Sequence, residues 1–254
     1  MRKALVVLSG GQDSTTALFW AKEHFEEVHA ITFNYGQLHI IEVNAAMKVA
    51  KMAGVASHEI IHVPHCLVST SPLITHTDLE RYADHREMER IIGGRVEKTF
   101  VPMRNAFFFV IAMNHAVALG SYDLVTGVCQ EDNANYPDCT ETFVNRFISM
   151  TNASMGAATN EFYIHAPLMH LTKAETVRMS AGMPECWKAL AYTHTSYDGI
   201  YPPNDHNHAN ILRAQGFLEA GFPDPLVVRA WKEGLMELPI SDNYAILLNQ
   251  SPKG

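Results

Sequence analysis

Residues 9–16 read SGGQDSTT, which sets two glycines, one carboxylate and four hydroxyl side chains within a single loop's length. A turn through Gly10 and Gly11 can present backbone N–H groups to an anion. A helix starting just beyond it would add the positive end of its dipole. The hydroxyls of Ser9, Ser14, Thr15 and Thr16 can reach phosphate oxygens, with Gln12 between them. This is not a Walker sequence, because no Lys-Ser or Lys-Thr closes it, and it is not GxGxxG either. A plain Gly turn capped by Asp13 or Ser14 is the simpler alternative. The density of hydroxyls after an apolar strand favours a phosphate site.

Such a loop needs a strand behind it and a helix in front. The apolar run at residues 3–8 predicts a buried parallel strand, and STTALFWAKEH continues with helical periodicity. Further strands are expected at residues 27–35, 57–63, 122–128 and 161–168, and helices at 38–54 and 104–120, near Asp138, and from TKAETVRMSAG. Strand–helix alternation predicts an α/β fold with a doubly wound, mostly parallel sheet. Residues 69–99 are too long and polar for an ordinary connection and predict a mobile flap or excursion. The expected organisation is a main domain at 1–195 and a small loop-rich C-terminal appendage at 196–254, packed on the same domain.

The net charge of −8 argues against a broad nucleic-acid surface. Cys66, Cys129, Cys139 and Cys186 form no CxxC pair, which fits reduced thiols in a reducing, cytoplasmic setting. No apolar run reaches membrane-spanning length, and the N-terminal run lacks the long apolar region and small-residue cleavage site of a signal peptide.

Five segments in order, SGGQDSTT, TFNYGQ, FVPMRN, TGVCQEDNANYPDC and PLMHLTKAET, resemble the 7-cyano-7-deazaguanine synthase family of the ATP pyrophosphatase (PP-loop) superfamily. The resemblance implies an adenine nucleotide alpha-hydrolase-like fold, ATP and Mg2+, a deazapurine substrate with ammonia, and a homodimer. It implies ATP binding by Ser9 to Thr16, with Asp13 as a direct or water-mediated partner of the metal. Asp13, Ser14, Arg104 and Lys173 are the expected catalytic residues, the two cations meeting charge on phosphate and acyl oxygen. Tyr35, Gln37, Arg104, Gln130, Asp132, Asn133, Tyr136 and Asp138 are the expected substrate contacts. A relative that stops at the amide, one that passes the acyl group to another amine, and a nucleotide-binding relative without catalysis are the rival readings. So is a tRNA-thiolating sulfur transferase, which would need catalytic Cys and a basic surface.

Three departures stand out. Met103 replaces a family Gly. The purine-site segment carries Gln130, Glu131 and Asn133 where the family has Glu, Thr and Phe. Ser196, Asn204, Asn207 and Asn210 occupy the places of four zinc-binding Cys. Zinc is therefore expected to be absent, with Asn side chains holding the loop through backbone hydrogen bonds. A relocated site from His194, Asp205, His206 and His208 is the alternative.

Overall fold

A computed structural model of the chain describes residues 2–36, 41–75, 77–130, 135–156, 161–196, 199–203 and 206–250. Its sheet contains β1 (Lys3–Val7), β2 (Glu27–Asn34), β3 (Ser57–His62), β4 (Asp123–Val125) and β5 (Tyr163–His165). The helices are α1 (Gln12–His24), α2 (Ile41–Ala53), α3 (Pro72–Thr75), α4 (His85–Ile92), α5 (Arg104–Ala118), α6 (Glu141–Ser154), α7 (Lys173–Ala181), α8 (Pro184–Leu190), α9 (His208–Ala220), α10 (Pro225–Lys232) and α11 (Ala245–Gln250). The strand order is β3-β2-β1-β4-β5 and every pairing is parallel.

Strand residues alternate between faces, so a run such as KALVV feeds two cores. Ala4, Val6 and Leu8 pack with Val28, Ala30 and the inner faces of α1, α2 and α8. Leu5 joins Ile31, Phe33, Leu124 and Ile164 beneath α5 and α6. The order reverses at β1, whose neighbours β2 and β4 lead away in opposite directions. Crevices at the carboxyl ends of strands form at such a switch point, and SGGQDSTT leaves β1 there.

Both outer strands on the β4 side are shorter than the sequence suggests. After Val125 the chain leaves the ladder and crosses the first turn of α1 at Gly127. A Cβ at that position would stand 2.7 Å from Asp13 C and from Ser14 N. Glycine lets the two backbones touch.

The excursion after β3 carries α3 and α4. Asp84 caps α4 by accepting from Glu87 N, and Tyr82, Met88 and Ile92 pack against Ile211 and Leu212 of α9. Arg95 and Lys98 hold Glu80 at 2.6 and 2.7 Å. With Tyr82, they bring its carboxyl down to about 2, against the cost of burial.

Among the described residues, the segment after Ser196 carries three α-helices, α9 to α11, joined by loops. Asn207 begins α9 as its N-cap, its Oδ1 accepting from Asn210 N at 3.0 Å. Gly216 lies inside α9 because the helix packs closely on α7. A Cβ there would meet Lys173 Cγ at 2.4 Å. No helix among the described residues is long and apolar enough to cross a membrane.

Candidate active site

Serine hydroxyls knit the loop after β1 together. Gly10 has φ +88°, and a Cβ on it would fall 2.5 Å from Glu42 O. Its carbonyl accepts His194 N–H at 2.9 Å. Ser14 Oγ lies 2.9 Å from Ser9 Oγ and 3.2 Å from Gly11 O. Ser9 Oγ accepts Gly11 N–H at 3.3 Å, and Ser14 Oγ accepts Ser9 N–H. One consistent proton assignment has Ser9 donating to Ser14 and Ser14 donating to Gly11 O.

A cavity of about 510 Å³ opens over this loop, within the range of about 300–1,000 Å³ typical of small-molecule sites. Ser9, Gly11, Gln12, Asp13 and Ser14 line it. Tyr35, Arg104, Gln130, Tyr136 and Lys173 line it too. Four expected residues do not. Gly10 packs on α2. Thr15 is fully buried. Thr16 donates to Gln12 O at 2.9 Å and pairs with Ser180 Oγ at 2.8 Å, so its hydroxyl serves the core. Asp138 is buried behind the wall, where Oδ2 accepts Asn105 N–H at 3.1 Å at the start of α5. It thereby fixes the turn that presents Arg104, and burial pushes its own carboxyl up. Gln37, Asp132 and Asn133 lie outside the described residues, as do Glu131, Asn204 and Asp205.

Lys173 is the first residue of α7, set there by a capping box between Thr172 and Glu175. Its Nζ reaches both Asp13 oxygens, at 3.1 and 2.9 Å. Only 11% of the Lys173 side chain is exposed, so this is no ordinary surface bridge. Arg104 lies beside Tyr35 and Glu42 and acts on the charge of both.

The walls are aromatic. Phe33 and Phe108 stack with centroids 4.3 Å apart, and Tyr35 tilts on Phe108 at 5.4 Å. Tyr136, Phe33, Tyr35 and Phe108 all line the cavity, so its flat aromatic surfaces do not depend on the residue at 133. Asn135 lines the cavity and ties the excursion down, donating to Gly93 O and Arg95 O at 3.1 and 3.0 Å. Tyr136 hydroxyl meets Thr99 Oγ1 in the same segment. Met103 has φ 64° and ψ 7°, in the left-handed region that favours glycine. Its side chain is 69% exposed, so the cost of replacing Gly falls on the backbone rather than as bulk beside Arg104.

One cavity group, Glu42, escapes a reading of the sequence. A carboxylate in the first turn of a helix is commonplace, and Glu42 gives no other signal. Burial lifts it to about 7, with Arg104 pulling the other way. Because the folded value lies above the ordinary 4.5, its contribution to stability is present below that value. It is lost as pH rises through about 7. Glu42→Gln should therefore melt like the parent at acid pH and above it at alkaline pH. Equal melting temperatures throughout would contradict this environment. His208, weighed above only as part of a relocated metal site, lines the cavity as well.

Ser196 and Asn207 are buried, at 1% exposure each. His194 Nε2 engages Ser196 O at 2.7 Å, while His206 is exposed. Among the described residues no three His, Cys, Asp or Glu side chains stand where one ion could bind them together. We expect the purified protein to melt at the same temperature with and without chelator, because Asn and neutral Ser do not replace thiolates around zinc. One equivalent of zinc by elemental analysis would reverse this expectation.

A hydroxyl-knit glycine loop at the switch point of a parallel sheet defines a PP-loop nucleotide-binding α/β protein. The sequence model of the family described as "Queuosine biosynthesis protein QueC" matches residues 3–221. The chain belongs to this family. It is 44% identical over 234 residues to a 7-cyano-7-deazaguanine synthase of Gloeobacter violaceus, covering 91% of this chain and 97% of that one. Similar enzymes of Laribacter hongkongensis and Chromobacterium violaceum share 43% over 89% of this chain and 94% of theirs, and 40% over 91% and 95%.

Proposed function

We propose that the chain is an ATP-dependent carbon–nitrogen ligase that converts 7-carboxy-7-deazaguanine and ammonia to 7-cyano-7-deazaguanine. The observation that carries this reading is the convergence of the loop, the Asp13–Lys173 pair, Arg104 and aromatic walls on one cavity. The family and the three synthases support it over the amide-stopping, acyl-transferring, sulfur-transferring and non-catalytic readings.

The chemistry needs two activations. A substrate carboxylate oxygen attacks the α-phosphorus of ATP and pyrophosphate leaves. Ammonia then adds to the acyl carbon, the C–O bond to AMP breaks, and a proton is lost to give the amide. In the second round the amide oxygen attacks a further ATP, pyrophosphate leaves, and loss of AMP and the remaining N–H protons gives the nitrile. Loop N–H groups and the α1 dipole receive the departing pyrophosphate. Lys173 and Arg104 meet charge on phosphate and acyl oxygens. Mg2+, when bound, would neutralise phosphate charge. Asp13 is the loop's carboxylate and would hold the ion directly or through water, beside its bonds to Lys173.

Incubation with carboxy-deazaguanine, ATP, Mg2+ and an ammonium salt, followed by mass spectrometry, tests the proposal. The expected outcome is nitrile with about two AMP per product, one for each activation. AMP without nitrile, or no AMP, would defeat it.

A further inference from the structure

His208 is 5% exposed, lines the cavity, and has no hydrogen-bond partner for Nε2 among the described residues. Buried side-chain nitrogens are nearly always paired, and an exception calls for an explanation. Gln12 Nε2 is a second such atom lining the same cavity. Two buried, unpaired nitrogens on one cavity are groups that a ligand can satisfy. The placement of His208 is not casual. Asn207 caps the helix that begins at His208, and Leu212 one turn on packs against the excursion. The same helix carries Gly216, against which the stem of Lys173 lies.

We propose that His208 is a substrate contact, its Nε2–H donating to the acyl oxygen of the bound heterocycle beside Lys173. This rests on the function proposed above. Lys173 acts on the charge of His208 and is tied to Asp13 in the phosphate loop, which puts the imidazole at the reacting end of the cavity. Burial and Lys173 keep the ring neutral, against the pull of Glu97. A neutral donor suits an acyl group that is in turn carboxylate, acyl adenylate and amide. It holds one oxygen through all three without adding a second fixed cation next to Lys173. Loss of a single neutral contact of this kind costs about ten-fold in affinity or rate.

The test uses His208→Leu and His208→Gln in the full chain, with kcat and KM measured separately for carboxy-deazaguanine and ATP. His208→Leu should melt at or above the parent temperature, because it removes an unpaired buried nitrogen. Its kcat/KM for carboxy-deazaguanine should fall about ten-fold, with KM for ATP unchanged and amide released before nitrile. His208→Gln, which keeps an N–H donor, should recover most of the loss. Parent-like kinetics in His208→Leu would overturn the contact. So would a lower melting temperature with equal losses for both substrates and no recovery in His208→Gln, which marks a packing role. A parent protein that forms no AMP from carboxy-deazaguanine would fell the functional reading, and this contact with it.

Discussion

Lys173→Met should cut AMP formation by about 100-fold or more and leave the fold intact, because removing one preorganised charge-stabilising contact costs about that much. The side chain is held from three directions. A capping box fixes the start of α7, Gly216 leaves just enough room for the stem, and both oxygens of Asp13 receive Nζ. A cation so constrained does not have to reorganise when charge develops on phosphate. Met keeps the stem and its packing while removing the charge. Asp13→Asn tests the other half: Lys173 stays but loses its anchor, and the loss should be smaller than in Lys173→Met. Pyrophosphate release at saturating ATP measures both. A Lys173→Met protein turning over at the parent rate would remove this residue from the mechanism.

Arg213→Met should lower the melting temperature by on the order of 10 °C. All five guanidinium N–H groups are used. Nε and Nη2 grip Asp224 at 2.6 and 2.8 Å, Nη1 donates to Thr193 and Thr195 at 2.9 and 2.8 Å, and Nη2 also reaches Leu190 O at 3.4 Å. The two side chains are 3% and 5% exposed. Removing one partner of such a pair strands a buried charge, at about 3–5 kcal/mol. Each kcal/mol is worth about 2–4 °C in a chain of this size. Asp224 also caps α10 through Leu226 N, so its carboxylate cannot turn to water without fraying that helix. Arg213→Lys should also fail, since an ammonium cannot reproduce the planar fork. Thermal melts decide the matter, and an unchanged midpoint in Arg213→Met would refute it.

The first strand, the loop and the parallel sheet could be read from residues 3–16 because local pattern and turn chemistry agree there. The ends of β4 and β5 could not, since Gly127 leaves the ladder for a contact with α1 that only the assembled fold creates. Helix α9 was hidden for a related reason. Asn and Gly read as loop formers, yet Asn207 is a cap and Gly216 admits a neighbouring side chain. Within the site, Asp13, Arg104 and Lys173 were visible as charges next to motif residues. Thr16 was not separable from Ser14, because which hydroxyl faces the cavity depends on the helix's rotation against α7 and Ser180.

The bond from His194 N to Gly10 O, with the bridge from Lys173 to Asp13 160 residues away, has a consequence for biosynthesis. During translation the phosphate loop leaves the ribosome well before the lysine that clasps it, which lies 160 residues further along. Contacts so distant along the chain close slowly, and the early segments must wait for them. A nascent chain therefore carries a glycine turn with no lysine to complete it. On the function proposed above, it should gain the capacity to spend ATP in one late step, when α7 to α9 dock. A ribosome-stalled series of lengthening chains would show activity switching on only after residue Gly216 has cleared the exit tunnel.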